Sequence, residues 1–147
     1  SRGLGDVYKR QDANRCIAYW TIEHRGLIPE AIWPWLGQYY FGCDICQLAC
    51  PYNRSAVVQN EQNLVKIATP PSLFEVAIMN QSAYERLFAG TPMTRAKRHG
   101  LKRNALIAMA VTKDSRLDEA MDLAVMNEPE SVVADTVAQI QRWRENQ

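Results

Sequence analysis

The sequence has almost no net charge, because 17 Lys and Arg stand against 16 Asp and Glu for a formal charge of +1. Such a balance excludes a whole-molecule field strong enough to select a nucleic acid or a membrane by itself, so any electrostatic attraction is local. The sequence also lacks an uninterrupted apolar run of about eighteen residues, and it lacks a secretory signal pattern. We therefore expect a cytoplasmic protein with no membrane contact.

Cysteine is scarce, and most of it lies in one short stretch. The chain has four cysteines, and the stretch FGCDICQLACPYN holds Cys43, Cys46 and Cys50, with Pro51 directly behind the last of them. Cys16 is the remaining one. A disulfide framework is disfavoured, because pairing all the thiols would join two neighbours in this stretch and close a very small loop of little entropic value. A reducing cytoplasm would not maintain such bridges either.

The length of 147 residues and the 47% apolar composition allow one packed core of ordinary domain size. The leading segment SRGLGDVYKRQ, residues 1–11, has neither a helical nor a strand period and resembles a translated sequencing-adapter tail. We interpret it as a non-native leader that does not contribute to the fold. On this interpretation the natural protein extends upstream of Asp12, and the chain is its carboxy-terminal fragment.

The three neighbouring cysteines are typical of a metal site, and two kinds of metal site compete. The C-x2-C knuckle of Cys43 and Cys46 suits zinc, but zinc sites usually use two such knuckles and the second is missing. Bacterial ferredoxin runs read C-x2-C-x2-C-x3-C-P, and the spacing C-x2-C-x3-C-P that ends at Pro51 occupies comparable positions. Tyr40 stands where a further cysteine would be expected, so the remaining thiolate has to come from far off in the sequence, where Cys16 is available. The spacing favours an iron–sulfur cluster over zinc and over unligated thiols.

Two blocks of sequence resemble the epoxyqueuosine reductase family. The block DANRCIAYWTIEHRGLIPE, followed after a short segment by FGCDICQLACPYNR, looks like the ferredoxin-like second half of these enzymes. The similarity runs from Asp12 to about Arg54 and continues more loosely through GTPMTRAKRHGLKRNALIAMA. Members of that family depend on cobalamin and carry two 4Fe–4S clusters. They remove the epoxide oxygen from a cyclopentane ring on the wobble base of tRNA, which converts epoxyqueuosine to queuosine.

The resemblance implies a role for each cysteine. Cys16, Cys43 and Cys46 would ligate the second cluster together with a cysteine upstream of this chain, and Cys50 would cross to the first cluster. The cobalamin domain and the catalytic residues would also lie upstream, so that this fragment alone is inactive. In family members the segment after the cysteine that matches Cys16 lies near cobalamin and tRNA. This places four residues on the expected substrate side: Ala18, Thr21, Glu23 and Arg25.

Hydrophobic periodicity predicts an α-rich fold, α+β at most. We expect a partial ferredoxin-like iron–sulfur domain over 12–55 and a HEAT-like helical domain over 56–147. The stretch RCIAYWTIEHRG mixes β-branched and aromatic residues and suits a short strand or a buried turn, while IPEAIWPWLGQ opens at Pro29 as helices often do. Helical patterns follow over four ranges: 72–88, 94–111, 117–126 and 131–144.

A cluster of cations lies in the second of these helical patterns. Its members follow one another without an intervening acid: Arg95, Lys97, Arg98, Lys102 and Arg103. By itself such a pattern is more typical of a solvated helix surface. Beside an iron–sulfur segment that resembles a tRNA-modifying enzyme, it favours contacts with the phosphates of the anticodon stem. Asn104 either adds a polar contact to this surface or solvates the helix.

The predicted function is the electron-delivering and tRNA-binding part of an epoxyqueuosine reductase. Its expected partners are tRNA and an electron donor, and its expected state is monomeric. The alternative is an iron–sulfur electron-transfer module of another oxidoreductase, in which the basic helix docks a protein partner. The two hypotheses differ upstream, because only the first requires a cobalamin-binding domain and a further C-x2-C-x2-C-x3-C-P run before Asp12.

Overall fold

The computed structural model describes residues 12–37, 39–55, 70–128 and 131–146. These residues contain no strand and fold into short 3-10 and π-helical turns and seven α-helices: α1 (Trp33–Leu36), α2 (Ile45–Leu48), α3 (Leu73–Ile78), α4 (Gln81–Phe88), α5 (Lys97–Thr112), α6 (Leu117–Asn127) and α7 (Val132–Glu145). The prediction of an α-rich fold is confirmed. Each helix in these ranges is too short or too polar to span a lipid bilayer. The expected leader at 1–11 lies outside the described residues.

The segment after Cys16 is helical, where a strand or a buried turn was expected. Residues Tyr19–Glu23 form a π-helix, and the N–H of His24 donates to the carbonyl of Tyr19 at 3.0 Å. The hydroxyl of Thr21 donates to the carbonyl of Ile17 at 2.8 Å, and such back-bonding accommodates a β-branched residue in a helix. The strand prediction is therefore wrong, whereas a buried turn agrees with the complete burial of Thr21.

The helix expected over 72–88 consists of two helices, each with its own cap. At the start of α3, the Ser72 hydroxyl accepts the N–H of Glu75 at 3.3 Å, and the Glu75 carboxylate accepts the N–H of Ser72 at 2.8 Å. This is a capping box. The backbone then turns extended at Met79, and the side chain of Asn80 caps the first turn of α4.

The core is built around α5. Every residue from 101 to 110 is buried, and α5 packs against α1, α3, α6 and α7. Trp33 and Leu36 of α1 belong to the same buried cluster as Leu101 and Leu106 of α5. The cysteine-bearing part of the chain and the helical part therefore share one core. The domain boundary expected between residues 55 and 56 stays a prediction, since 56–69 lie outside the described residues.

The shared core predicts that a cavity at Trp33 destabilises the helical part as well. Trp33 is completely buried, and its indole N–H donates to the carbonyl of Ile28 at 3.0 Å. We expect Trp33→Ala to lower the free energy of unfolding by about 3–5 kcal/mol. The measurement is urea denaturation followed by the helical circular dichroism signal.

Trp35 provides the matched control on the same helix, because it is 71% exposed. Trp35→Ala should change the free energy of unfolding by no more than about 0.5 kcal/mol. If Trp33→Ala left the unfolding of the helical signal unchanged, the two parts of the chain would not share a core.

Candidate metal centre

The cysteines lie on short turns rather than on long helices. Cys16 directly precedes the helical segment that ends at Glu23. Cys43 lies two residues before α2, Cys46 is its second residue, and Cys50 follows it. The N–H of Cys50 donates to the carbonyl of Gln47 at 3.2 Å. A helix as short as α2 does not persist by propensity alone, so side-chain and turn hydrogen bonds have to hold it.

The turn behind α2 supplies these bonds. The side-chain amide of Asn53 donates to the carbonyl of Gln47 at 2.9 Å, and its backbone N–H donates to the carbonyl of Cys50 at 3.1 Å. Pro51 opens the 3-10 turn Pro51–Ser55 that carries Asn53. The proline behind the last cysteine therefore begins a new turn that folds back on the cysteine-bearing helix.

The donor chemistry of the chain fits an iron–sulfur cluster. All four cysteines are free thiols and half-buried, and thiolates are the usual ligands of these clusters. Within the ranges that the structure describes, no three Cys, His, Asp or Glu side chains are grouped closely enough to hold a metal ion. The thiols fit a cluster by type, and their assignment to particular clusters stays a prediction.

A buried hydroxyl joins the segment of Cys16 to the segment of Cys43. The backbone N–H of Gly42 donates to Thr21 Oγ1 at 3.0 Å, and the same hydroxyl donates to the carbonyl of Ile17. Gly42 has a φ of +71°, a conformation that glycine adopts without steric cost. Thr21 was expected to line the substrate side, but its side chain is fully buried and bonded to backbone. That expectation is wrong for Thr21.

The same two segments are held by the side chain of Asn104. Its amide Nδ2 donates to the carbonyl of Thr21 at 2.7 Å and to the carbonyl of Tyr40 at 2.9 Å. Its Oδ1 accepts from Arg103 Nε at 3.0 Å and from an Arg103 terminal nitrogen at 2.9 Å. Asn104 is fully buried, so the expectation that it meets solvent or RNA is wrong.

Arg103 extends this network to the turn that follows the π-helix. It donates to the carbonyls of Trp20 and His24, each at 2.9 Å, and to that of Gly26 at 2.6 Å. Together with the bonds to Asn104, every N–H of the guanidinium has an acceptor. Burial, with a smaller effect from the charge of Arg25, lowers the pKa of Arg103 to about 10. Arg103 therefore remains charged at neutral pH.

Most of the predicted tRNA-binding cations are turned inward. Lys102 and Arg103 are completely buried, and the side chain of Arg98 is only 16% exposed. Lys102 Nζ lies 2.8 Å from the Glu128 carboxylate, which also pairs with Arg98. These three cations cannot form a phosphate-binding surface, and that part of the prediction is wrong. The physical reason is that groups distant in the sequence already bind these cations: the Glu128 carboxylate pairs with Arg98 and Lys102, and backbone carbonyls accept the hydrogen bonds of Arg103.

Arg95 and Lys97 remain in solvent at the start of α5. The Arg95 side chain is 66% exposed and pairs with Glu23. Arg25 is exposed, and its guanidinium donates to the carbonyls of Arg95 at 2.8 Å and Ala96 at 3.0 Å. The expected substrate-side residues Glu23 and Arg25 thus adjoin the cations at the start of α5. Ala18, the fourth residue of that set, is half-buried.

The cysteine-bearing part of the chain is similar to known iron–sulfur proteins. The family described as a 4Fe-4S double cluster binding domain matches residues 4–53, a range that includes all four cysteines. An epoxyqueuosine reductase of Xanthomonas campestris pv. campestris is 39% identical over 105 residues, which are 68% of this chain and 29% of that protein. The chain is related to the epoxyqueuosine reductases.

Two further relatives bear on this relationship. The epoxyqueuosine reductase of Alicycliphilus denitrificans is 32% identical over 138 residues, which are 88% of this chain and 38% of that protein. A crystal structure of epoxyqueuosine reductase with an epoxyqueuosine-modified tRNA-Tyr stem loop superimposes with a TM-score of 0.75 at 23% identity, over 90% of this chain and 36% of that one. The chain therefore shares the fold of part of these enzymes, and it spans less than two fifths of their length.

The ion cluster around Glu128 predicts a pH-dependent stability. Burial alone raises the pKa of Glu128, but hydrogen bonds from Lys102 and Arg98 and the charges of both bring it below its ordinary value. A depressed carboxyl pKa contributes stability at neutral pH, and this contribution disappears as the pH falls through the folded-state pKa. Removing the carboxylate also leaves Lys102 buried without its counter-charge. We expect Glu128→Gln to cost about 3 kcal/mol at neutral pH.

Urea unfolding at neutral and acidic pH tests this expectation. The difference between the parent and Glu128→Gln should shrink on acidification, as the Glu128 carboxylate gains a proton. Asp118→Asn is the matched control, because Asp118 pairs with Arg144 but is 72% exposed. It should cost no more than about 1 kcal/mol. A difference for Glu128→Gln that is small or independent of pH would contradict the assignment.

Proposed function

We propose that this chain is the iron–sulfur part of an epoxyqueuosine reductase, an oxidoreductase that reduces epoxyqueuosine to queuosine in the wobble position of tRNA. One observation carries the proposal. The match to a double-cluster domain at residues 4–53 includes every cysteine of the chain, and the relatives that align with 68% and 88% of the chain are epoxyqueuosine reductases. An isolated electron-transfer module of another oxidoreductase has no comparable support.

The cysteines are the residues that would hold the cofactor. Cys16, Cys43 and Cys46 are assigned to one cluster and Cys50 to the other, with the remaining ligands outside this chain. Loss of an epoxide oxygen as water takes two electrons and two protons, and an iron–sulfur cluster supplies electrons singly. The contribution of this chain is to orient the thiols and to limit water around them, since burial and hydrogen bonding set the cluster potential.

The tRNA contact is proposed for the cations that remain in solvent, Arg95 and Lys97. Both stand at the amino-terminal end of α5, which has 16 residues and no side-chain cap. The helix dipole favours phosphate there. Glu23 and Arg25 adjoin Arg95, so the surface expected to face the substrate and the surface expected to hold the tRNA backbone are continuous. The crystal structure of an epoxyqueuosine reductase with a modified tRNA stem loop supports tRNA as the ligand, and the location at this end of α5 is proposed from the charges alone.

The rest of the proposal depends on the family resemblance. Cobalamin would be bound mainly by an upstream domain, with Ala18, Glu23 and Arg25 on the side that faces it or the tRNA. The catalytic residues would lie in that domain as well. An external electron donor, a monomeric state and a cytoplasmic location complete the proposal.

The metal assignment predicts iron rather than zinc. After anaerobic reconstitution with iron and sulfide, the chain should retain iron and sulfide in equal amounts, as at most one labile cluster because other ligands are missing. Cys46→Ser should reduce the retained iron roughly tenfold, since it removes a ligand. The measurement is metal and acid-labile sulfide analysis after desalting. The control is Leu48→Ser, which alters an exposed residue of the same helix and should leave the iron content unchanged. Stoichiometric zinc without iron would refute the assignment.

The revised RNA surface predicts a small, additive decrease in affinity. Replacing Arg95 and Lys97 together with Gln should weaken binding of a tRNA anticodon stem loop by roughly 1 kcal/mol for each phosphate that is no longer neutralised, and should lower the salt dependence by the equivalent of about two phosphates. Fluorescence anisotropy over a range of salt concentrations measures both quantities. Asp118→Ala with Glu119→Ala, on the exposed face of α6, is the control and should leave affinity unchanged. An unaltered affinity and salt slope in the Gln variant would exclude this end of α5 from the RNA surface.

A further inference from the structure

The side chain of Asn104 is bonded to two chain segments that are distant in sequence and that both carry cysteines. It donates to the carbonyl of Thr21, which lies five positions after Cys16, and to the carbonyl of Tyr40, which lies three positions before Cys43. Both hydrogen bonds run directly from the side-chain amide to the backbone. A displacement of Asn104 therefore acts at once on both segments.

The orientation of the amide is fixed by its other end. Oδ1 accepts two hydrogen bonds from the buried guanidinium of Arg103, so all the donors and acceptors of the Asn104 amide are used. A rotated amide would place N–H groups against the guanidinium and an oxygen against two carbonyls. This arrangement permits one orientation, and with it one separation between the carbonyls of Thr21 and Tyr40.

Thr21 adds a second connection between the same segments. Its hydroxyl donates to the carbonyl of Ile17, the residue after Cys16, and accepts the N–H of Gly42, the residue before Cys43. The amide of Asn104 and the hydroxyl of Thr21 therefore hold the two segments at points on either side of the turn that leads into Cys43. Neither group is exposed to solvent.

We propose that Asn104 and Thr21 are positioning residues for the metal-binding thiols, which set the separation and orientation of the Cys16 and Cys43 segments. The proposal rests on the proposed function in one respect, namely that these thiols bind an iron–sulfur cluster. Asn104 itself touches no thiol. Its effect on the cluster is transmitted through the backbone of residues 17–21 and 40–42.

Gln139 is a buried side-chain amide in the same core that is hydrogen-bonded to neither cysteine-bearing segment. It is largely buried, and its Nε2 donates to the carbonyl of Ile28 at 3.1 Å. That carbonyl also accepts the indole N–H of Trp33, and the hydrogen bond of Gln139 reaches neither cysteine segment. Substitution of Gln139 therefore tests the removal of a buried amide that does not position a cysteine.

Hydrogen exchange at the Gly42 amide, measured by NMR on the whole chain, reports the positioning without any metal. Three variants are compared with the parent. Asn104→Asp retains the acceptors for Arg103, and it replaces the donor to Thr21 and Tyr40 by a carboxylate oxygen that cannot bond to either carbonyl. Thr21→Val removes the hydroxyl at nearly constant volume, and Gln139→Leu is the control. We expect Gly42 to exchange about tenfold faster in the first two and at the parent rate in the third.

Anaerobic reconstitution with iron and sulfide then connects the positioning to the metal. Asn104→Asp and Thr21→Val should retain several-fold less iron than Gln139→Leu, and any cluster they hold should have a shifted reduction potential and a broadened electron paramagnetic resonance signal. Thr21→Val keeps the test valid if Asn104→Asp does not fold.

Each of three results would overturn a different part of the proposal. Parent-like exchange at Gly42 in Thr21→Val and in folded Asn104→Asp would refute the positioning. Faster exchange with parent-like iron retention and potential would refute its importance for the metal. Iron bound by the parent chain without an equal amount of sulfide would refute the iron–sulfur function instead, and the Gly42 exchange rates would still decide the positioning.

Discussion

The guanidinium of Arg103 is buried in the middle of the protein, and removing such a charge from water costs several kcal/mol unless hydrogen bonds replace the solvent. Its acceptors are the carbonyls of Trp20, His24 and Gly26, together with Asn104. The carbonyls at 24 and 26 lie in the turn beyond the π-helix, where no helical N–H is available to them. Neither side of this contact is satisfied without the other. Helix α5 and the turn after Cys16 therefore have to fold together.

A second buried ion contact holds the other side of α5. Arg98 and Lys102 are separated by one helical turn and so lie on the same face, where they meet Glu128 at the end of α6. Arg103 points away from that face toward the cysteine-bearing segments. The cationic segment of the sequence is thus divided between two internal contacts, and only Arg95 and Lys97 remain for a ligand. A count of charges along the chain cannot reveal this division, since the groups that bind these cations are backbone carbonyls and an acid at the end of another helix.

The sequence predicts the regular elements better than the contacts between them. The expected helices over 117–126 and 131–144 agree with α6 and α7 to within a residue at each end, because their apolar spacing faces a continuous core. The break between α3 and α4 was missed, although Asn80 is a typical capping residue and marks it. The buried roles of Asn104 and Arg103 were missed as well. Their signal in the sequence is a polar pair directly before the apolar run ALIAMA. This part of α5 is buried on all sides, so a polar pair there has to find buried partners.

For the proposed metal site too, the sequence predicts the local features better than the contacts between distant segments. Spacing predicts Cys43, Cys46 and Cys50 as metal ligands, because local loops determine which cysteines can reach a common centre. The geometry of the site depends on contacts that span the chain, such as the bond between Thr21 and Gly42 and those from Asn104 to Thr21 and Tyr40. Cluster potentials respond to the orientation of ligands and to burial. The residues that tune this centre are therefore expected on α5, where no metal-binding motif occurs, as well as beside the cysteines themselves.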